Sequence, residues 1–211
     1  MRIAVIGHGP EPVGQGWGDA IDAHDLVVRL HDWDWQDAGD YGTRYDYGVL
    51  PGPGIARALK SAVRAPENGW LVYSPYQPLD RAYVTDGIMG RPVLDVRDHA
   101  IAWFERLARF NARSFRGRAA LTRGASAILL TAHVLSPTEL TLVGFNNIIE
   151  GRFGSGYPAA CPAQNDFDHP GQEYNHAHDM VAERALVFEA LRRYGVRPRI
   201  LGRAGLAVPA A

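Results

Sequence analysis

The chain has 211 residues, 46% of them hydrophobic, with 23 Gly and 14 Pro, which is enough for one compact domain over residues 1–211 with a core of its own. A formal net charge of −1 leaves no global basic field to hold nucleic acid or an anionic membrane, so an anion has to be met by local groups and the expected partner is a small molecule. The single cysteine, Cys161, excludes an internal disulfide, and the apolar run after Met1-Arg2 stops at Gly7, too short for a signal peptide or a membrane span; the expectation is a bacterial-type cytoplasmic protein.

Strands and helices alternate along the chain. Ile3–Ile6 is a continuous apolar run ending in glycine, the pattern of a central parallel strand buried on both faces. Leu26–Leu30, Trp70–Tyr73, Val93–Val96 and Leu140–Val143 are similar, less pure runs. Residues 100–110 space Ile101, Phe104, Leu107 and Phe110 at helical intervals, and Ala125–Leu135 is rich in Ala and Leu; both predict helices. Val181, Ala185, Phe188 and Leu191 predict the apolar stripe of a further helix that Gly195 ends. Residues 51–53 and 151–171 are aperiodic and predict loops, the second long enough for a lid or substrate-binding segment. Residues 202–211 predict a short final strand and a frayed end. The sum is an α/β chain with an open, mostly parallel sheet flanked by helices, whose ligands bind beyond the carboxyl ends of the strands.

Three segments carry candidate chemistry. The first strand runs into Gly7-His8-Gly9-Pro10, followed by Gly14, Gly16 and Gly18; such turns let backbone amides approach phosphate oxygens. A dinucleotide fingerprint requires glycine where Pro12 stands, which argues against NAD or FAD. Thr122-Arg123-Gly124 opens a helix, and a hydroxyl with unpaired amides at a helix N-terminus suits a phosphate or carboxylate. His178 stands near the start of the last helix, where the positive dipole end favours the neutral imidazole that a general base needs, while Asp179 opposes it. Glu183 lies five residues on, about 140° around a helix, so its expected role is to secure the helix or a neighbouring loop.

Taken in order, these segments resemble the large, small and very small sialyl motifs of glycosyltransferase family 29, the sialyltransferase family. The large motif is matched by the glycine turn, by Ile21-Asp22-Ala23-His24-Asp25-Leu26-Val27-Val28-Arg29 and by Tyr41-Gly42-Thr43-Arg44-Tyr45-Asp46. The small motif is matched from Thr122-Arg123-Gly124 to Glu139-Leu-Thr-Leu-Val-Gly144-Phe145, and the very small motif by the spacing of His178 and Glu183. His8 and His31 stand where the family has asparagines that contact the donor, and Leu121 and Ser136 replace a proline and a cysteine.

The resemblance implies a Rossmann-like domain of the sialyltransferase variant of the glycosyltransferase A fold. It implies an inverting transferase of sialic acid or a related ulosonic acid from a CMP-activated donor to a hydroxyl of a glycan or small acceptor. No metal or other cofactor is implied, the CMP-sugar being a co-substrate. His178 is the implied general base, and Gly7, His8, Gly9, Arg29, His31, Thr122, Arg123, Gly124, Gly144, Phe145 and His169 are the implied donor-binding positions, with Tyr174 and His176 as alternatives to His169.

Other readings stay open. Asp32-Trp33-Asp34 has the form of the metal-binding acidic motif of other glycosyltransferases, and Asp166, Asp168, His169, His176, His178 and Asp179 could hold zinc or iron in a hydrolase. A hydrolase of CMP or a CMP-sugar, or a nucleotide-binding module without turnover, would carry the same fold.

Overall fold

The computed structural model describes residues 1–30, 36–51, 64–73, 87–95, 122–150 and 180–201. In chain order they form β1 (Arg2–Ile6), α1 (Gly18–Asp22), β2 (Leu26–Leu30), α2 (Ala38–Tyr41), β3 (Tyr47–Pro51), β4 (Gly69–Tyr73), β5 (Val93–Asp95), α3 (Arg123–Leu135), β6 (Glu139–Val143), α4 (Asn146–Glu150), α5 (Met180–Arg193) and β7 (Arg197–Ile200). The predicted helix over 100–110, the loop over 151–171 and the strand within 202–211 lie outside the described residues.

The strands make one sheet of seven in the order β5-β4-β3-β2-β1-β6-β7, and every strand pair in it is parallel. The chain builds outward from β1 through β2 to β5, then returns to the other side of β1 for β6 and β7. The order therefore reverses between β1 and β6, and in open sheets of this kind ligands bind at the carboxyl edge of that switch point.

β1 is central, and Ile3 to Ile6 are all 0–1% exposed. Its side chains alternate between two cores, as a pleated strand requires. Ile3 and Val5 pack with Val28, Ile128, Leu140, Leu142, Val187 and Leu191 on the side of α3 and α5. Ala4 and Ile6 pack with Ile21, Val27, Tyr41 and Val143 on the side of α1 and α2. A third cluster under β3 and β4 holds Tyr45, Leu50, Trp70, Val72 and Ile88.

β3 and β7 are additional to the strands expected from sequence. In β3 the apolar pattern of the sequence is broken by Gly48 because the Trp70 ring lies across it: a Cβ at Gly48 would stand 2.4 Å from that ring. Its Pro51 sits on the last rung, opposite Tyr73. β7 is an edge strand, where Pro198 is tolerated and where exposed Arg197 and Arg199 face Glu139 instead of a core.

α5 ends as predicted: Gly195 takes φ +65°, its amide bonds the Arg192 carbonyl, and the Val196 amide bonds that of Leu191, the paired bonds of a Schellman cap. The expected stripe on α5 is out of phase, since Val181 is 70% exposed and Ala185 is exposed. The buried line is Glu183, Val187, Ala190 and Leu191; it is hidden in the sequence because its first member is a carboxylate.

Candidate functional site

The Gly7-His8-Gly9 turn leaves β1 at the switch point and lies against the end of β6. The Gly7 amide donates to the Val143 carbonyl at 2.7 Å, and the Gly9 amide to the Gly144 carbonyl at 2.9 Å. On the other side, Gln36 Nε2 donates to the Gly7 carbonyl and the Tyr41 hydroxyl to the Gly9 carbonyl, both at 2.8 Å. The expectation that both glycine amides aim at a ligand is corrected here, because they join the two strand ends. Glycine is required for close approach: a Cβ on Gly7 would stand 2.4 Å from the Gly144 oxygen, and one on Gly9 would stand 2.8 Å from the same atom.

Arg29, at the end of β2, is fully buried. Its Nε donates to the Arg44 carbonyl at 2.7 Å, Nη1 to Gln36 Oε1 at 3.2 Å and Nη2 to the Tyr41 carbonyl at 2.8 Å. Burial pushes the guanidinium down to about 10, against the pull of the Asp22 carboxylate, so it remains a cation at neutral pH. Phe145 is 2% exposed and packs its ring edge against Gly7 and Gly124. Direct donor contact through the side chains of Arg29 and Phe145 is therefore corrected to a supporting position behind the turn.

The start of α3 reaches the same edge, since a Cβ on Gly124 would meet the Phe145 ring at 3.0 Å. Thr122 caps the helix, its hydroxyl accepting from the Ala125 amide at 3.1 Å. Its own donors go to Glu183 of α5: the amide to Oε1 at 2.9 Å and the hydroxyl to Oε2 at 2.7 Å. Glu183 is 1% exposed, which matches the expectation that it secures a neighbouring segment. The Thr122 hydroxyl was expected to meet a ligand anion; an internal carboxylate already holds that proton. Arg123 is exposed, and His8 and Gly124 are half-buried. The Gly124 amide has no hydrogen-bond partner among the described residues.

The rest of the large-motif stretch is structural. Asp22 accepts from the Thr43 amide and hydroxyl and from the Arg44 amide at 2.8–3.0 Å. Burial opposes its charge, but these donors and the Arg29 cation hold its carboxyl below the usual carboxylate value. Arg44 binds the Asp22, His24 and Asp25 carbonyls and the Asp46 carboxylate, and Asp46 accepts from the Val27 amide at 2.7 Å. The Gly14 and Gly16 amides, a second candidate anion cradle, are taken by Asp40 at 2.6 and 2.8 Å.

His31, His169 and His178 lie outside the described residues, as do Asp32, Asp34, Asp166, Asp168, Tyr174, His176 and Asp179. Among the described residues, no group of three His, Cys, Asp or Glu side chains could hold a metal ion, and no helix is long and apolar enough to cross a membrane. The structure brings the glycine turn, the α3 start and Gly144-Phe145 to one edge, while Gln36 carried no motif signal and the large-motif stretch that includes Tyr41 gave no sign of its bond to the turn.

Comparison with family models and with curated proteins gives no match. Among solved structures, the sialyltransferase CstII from Campylobacter jejuni in complex with the substrate analogue CMP-3FNeuAc aligns with a TM-score of 0.60 at 12% identity, covering 97% of this chain and 82% of that one. The same enzyme with a trisaccharide acceptor and CMP aligns with a TM-score of 0.57 at 14% identity, covering 98% and 83%. A mammalian sialyltransferase in complex with Gal-beta-1-3GalNAc-ortho-nitrophenol aligns with a TM-score of 0.53 at 16% identity, covering 96% and 70%. The chain has the sialyltransferase fold.

Proposed function

We propose that this protein is a metal-independent, inverting glycosyltransferase that moves sialic acid or a related ulosonic acid from a CMP-activated donor to a hydroxyl acceptor. The observation that carries the reading is the convergence of the glycine turn of β1, the start of α3 and the end of β6 at the switch point, in a fold shared with an enzyme whose solved complexes contain CMP.

In this reading His8, the Gly124 amide and Arg123 face the donor phosphate, with His31 and His169 completing the site from segments adjoining in sequence. The 13-residue α3 directs its positive dipole end to that edge, which stabilises the charge developing on departing CMP. His178, two residues before α5, takes the acceptor proton. The acceptor oxygen forms a bond to the anomeric carbon as the carbon–oxygen bond to the phosphate breaks, and CMP leaves with the electron pair on the opposite face. Glu183, clamped to Thr122, sets where the segment bearing His178 enters the helix.

Incubation with CMP-sialic acid, with and without a galactoside acceptor, tests this directly by product analysis. Acceptor-dependent glycoside of inverted anomeric configuration is expected. Free sugar released at the same rate without acceptor would replace transfer with hydrolysis.

A further inference from the structure

An arginine with no exposed surface is a costly way to fill space, and two of its hydrogen bonds reach residues that hold the glycine turn. Arg29 Nη1 faces Gln36 Oε1, which fixes the side-chain amide of Gln36 with its NH2 group toward the Gly7 carbonyl. Arg29 Nη2 holds the Tyr41 carbonyl at the end of α2, where the Tyr41 hydroxyl reaches the Gly9 carbonyl. The opposite side of the turn is pinned to Val143 and Gly144. Both peptide planes flanking His8 are thereby set. A trans peptide points its N–H away from its C=O, so the Gln36 bond to the Gly7 carbonyl directs the His8 amide to the far side.

We propose that Arg29 is a positioning residue which, through Gln36 and Tyr41, sets the orientation of His8 and with it the affinity for the donor nucleotide. This rests on the CMP-sugar reading for the ligand, whereas the geometry of the turn stands apart from it. Among the described residues, Arg29 bonds the Arg44 and Tyr41 carbonyls and Gln36 and in this proposal acts from behind the turn.

The test uses the full chain with Gln36→Leu and Tyr41→Phe, which remove one relay each and keep the buried volume, because replacing Arg29 itself risks the fold. Thr141→Val is the control: it removes a different buried hydrogen bond, from Thr141 Oγ1 to His24 Nε2 at 2.8 Å, away from the turn. Two readouts are compared at matched loss of stability, amide hydrogen exchange at Gly7 and Gly9 and calorimetric affinity for CMP. Both relay variants are expected to exchange these amides about tenfold faster, to bind CMP about tenfold more weakly, and to raise the KM for the donor but not for the acceptor, while Thr141→Val matches wild type in all three. Wild-type exchange and affinity in both relay variants would overturn the proposal. If the wild-type protein binds no CMP, the donor reading fails, and the exchange rates alone decide the positioning claim.

Discussion

Glu183, on the first turn of α5, accepts both the amide and the hydroxyl of Thr122, the residue that caps α3, at 2.9 and 2.7 Å. One buried carboxylate thus fastens two helix starts side by side at the carboxyl edge of the sheet. It also accounts for an acidic residue on the otherwise apolar buried face of the helix.

Glu183→Ala leaves the two Thr122 donors without their acceptor in a closed site and is expected to lower stability by about 3 kcal/mol. Glu183→Gln keeps one acceptor oxygen and should cost about 1 kcal/mol. Urea unfolding of Thr122→Ala, Glu183→Ala and the double variant measures the coupling, expected above about 1 kcal/mol; simple additivity would show that the contact contributes nothing.

Acid should weaken the fold through Asp22. Its carboxyl is held below the ordinary carboxylate value by the Thr43 and Arg44 donors against the pull of burial, so the folded state binds that proton less tightly than the unfolded chain. The stabilisation is complete above the ordinary carboxylate value and is lost as pH falls through the folded one. Asp25, held low by the Arg2 amide, and Asp40, held low by the Gly14 and Gly16 amides, act in the same direction. Urea midpoints are expected to fall between about pH 5 and pH 3, and Asp22→Asn should flatten that slope. An unchanged slope in the variant would remove Asp22 from the account.

His178→Ala is expected to fold with wild-type stability and to bind CMP as wild type does, while turnover drops about 100- to 10,000-fold. Steady-state kinetics beside calorimetry separates the two effects. A fully active variant would take the general base away from His178.

Much of this architecture was legible because its residues announce themselves. Ile3–Ile6 is apolar on both faces, Thr122 is a cap, and Gly195 is a helix stop. β3 was hidden because Gly48 makes room for Trp70, a partner more than twenty residues away, and β7 because an edge strand carries arginines instead of a core face. At the site, motif spacing picked out segments that the fold brings to one edge but said nothing of which donors were already engaged. Thr122 gives its protons to Glu183, and the amides of Gly7 and Gly9 close onto β6. Arg29 stood as a donor-binding position through its place in the large-motif resemblance, which says nothing of burial; the three-dimensional arrangement shows it buried and facing inward.

The central claim is that the edge formed by β1, β6 and the start of α3 binds a cytidine monophosphate group without a metal. A thermal-shift screen of CMP against UMP, GDP and NAD, with and without a chelator, tests it most directly. At about a hundredfold excess over Kd, CMP should add about 2.7 kcal/mol and raise Tm by roughly 5–10 °C, equally with and without chelator, with little shift from the other nucleotides. A shift for UMP, GDP or NAD that exceeds the one for CMP, or a CMP shift abolished by the chelator, would contradict it.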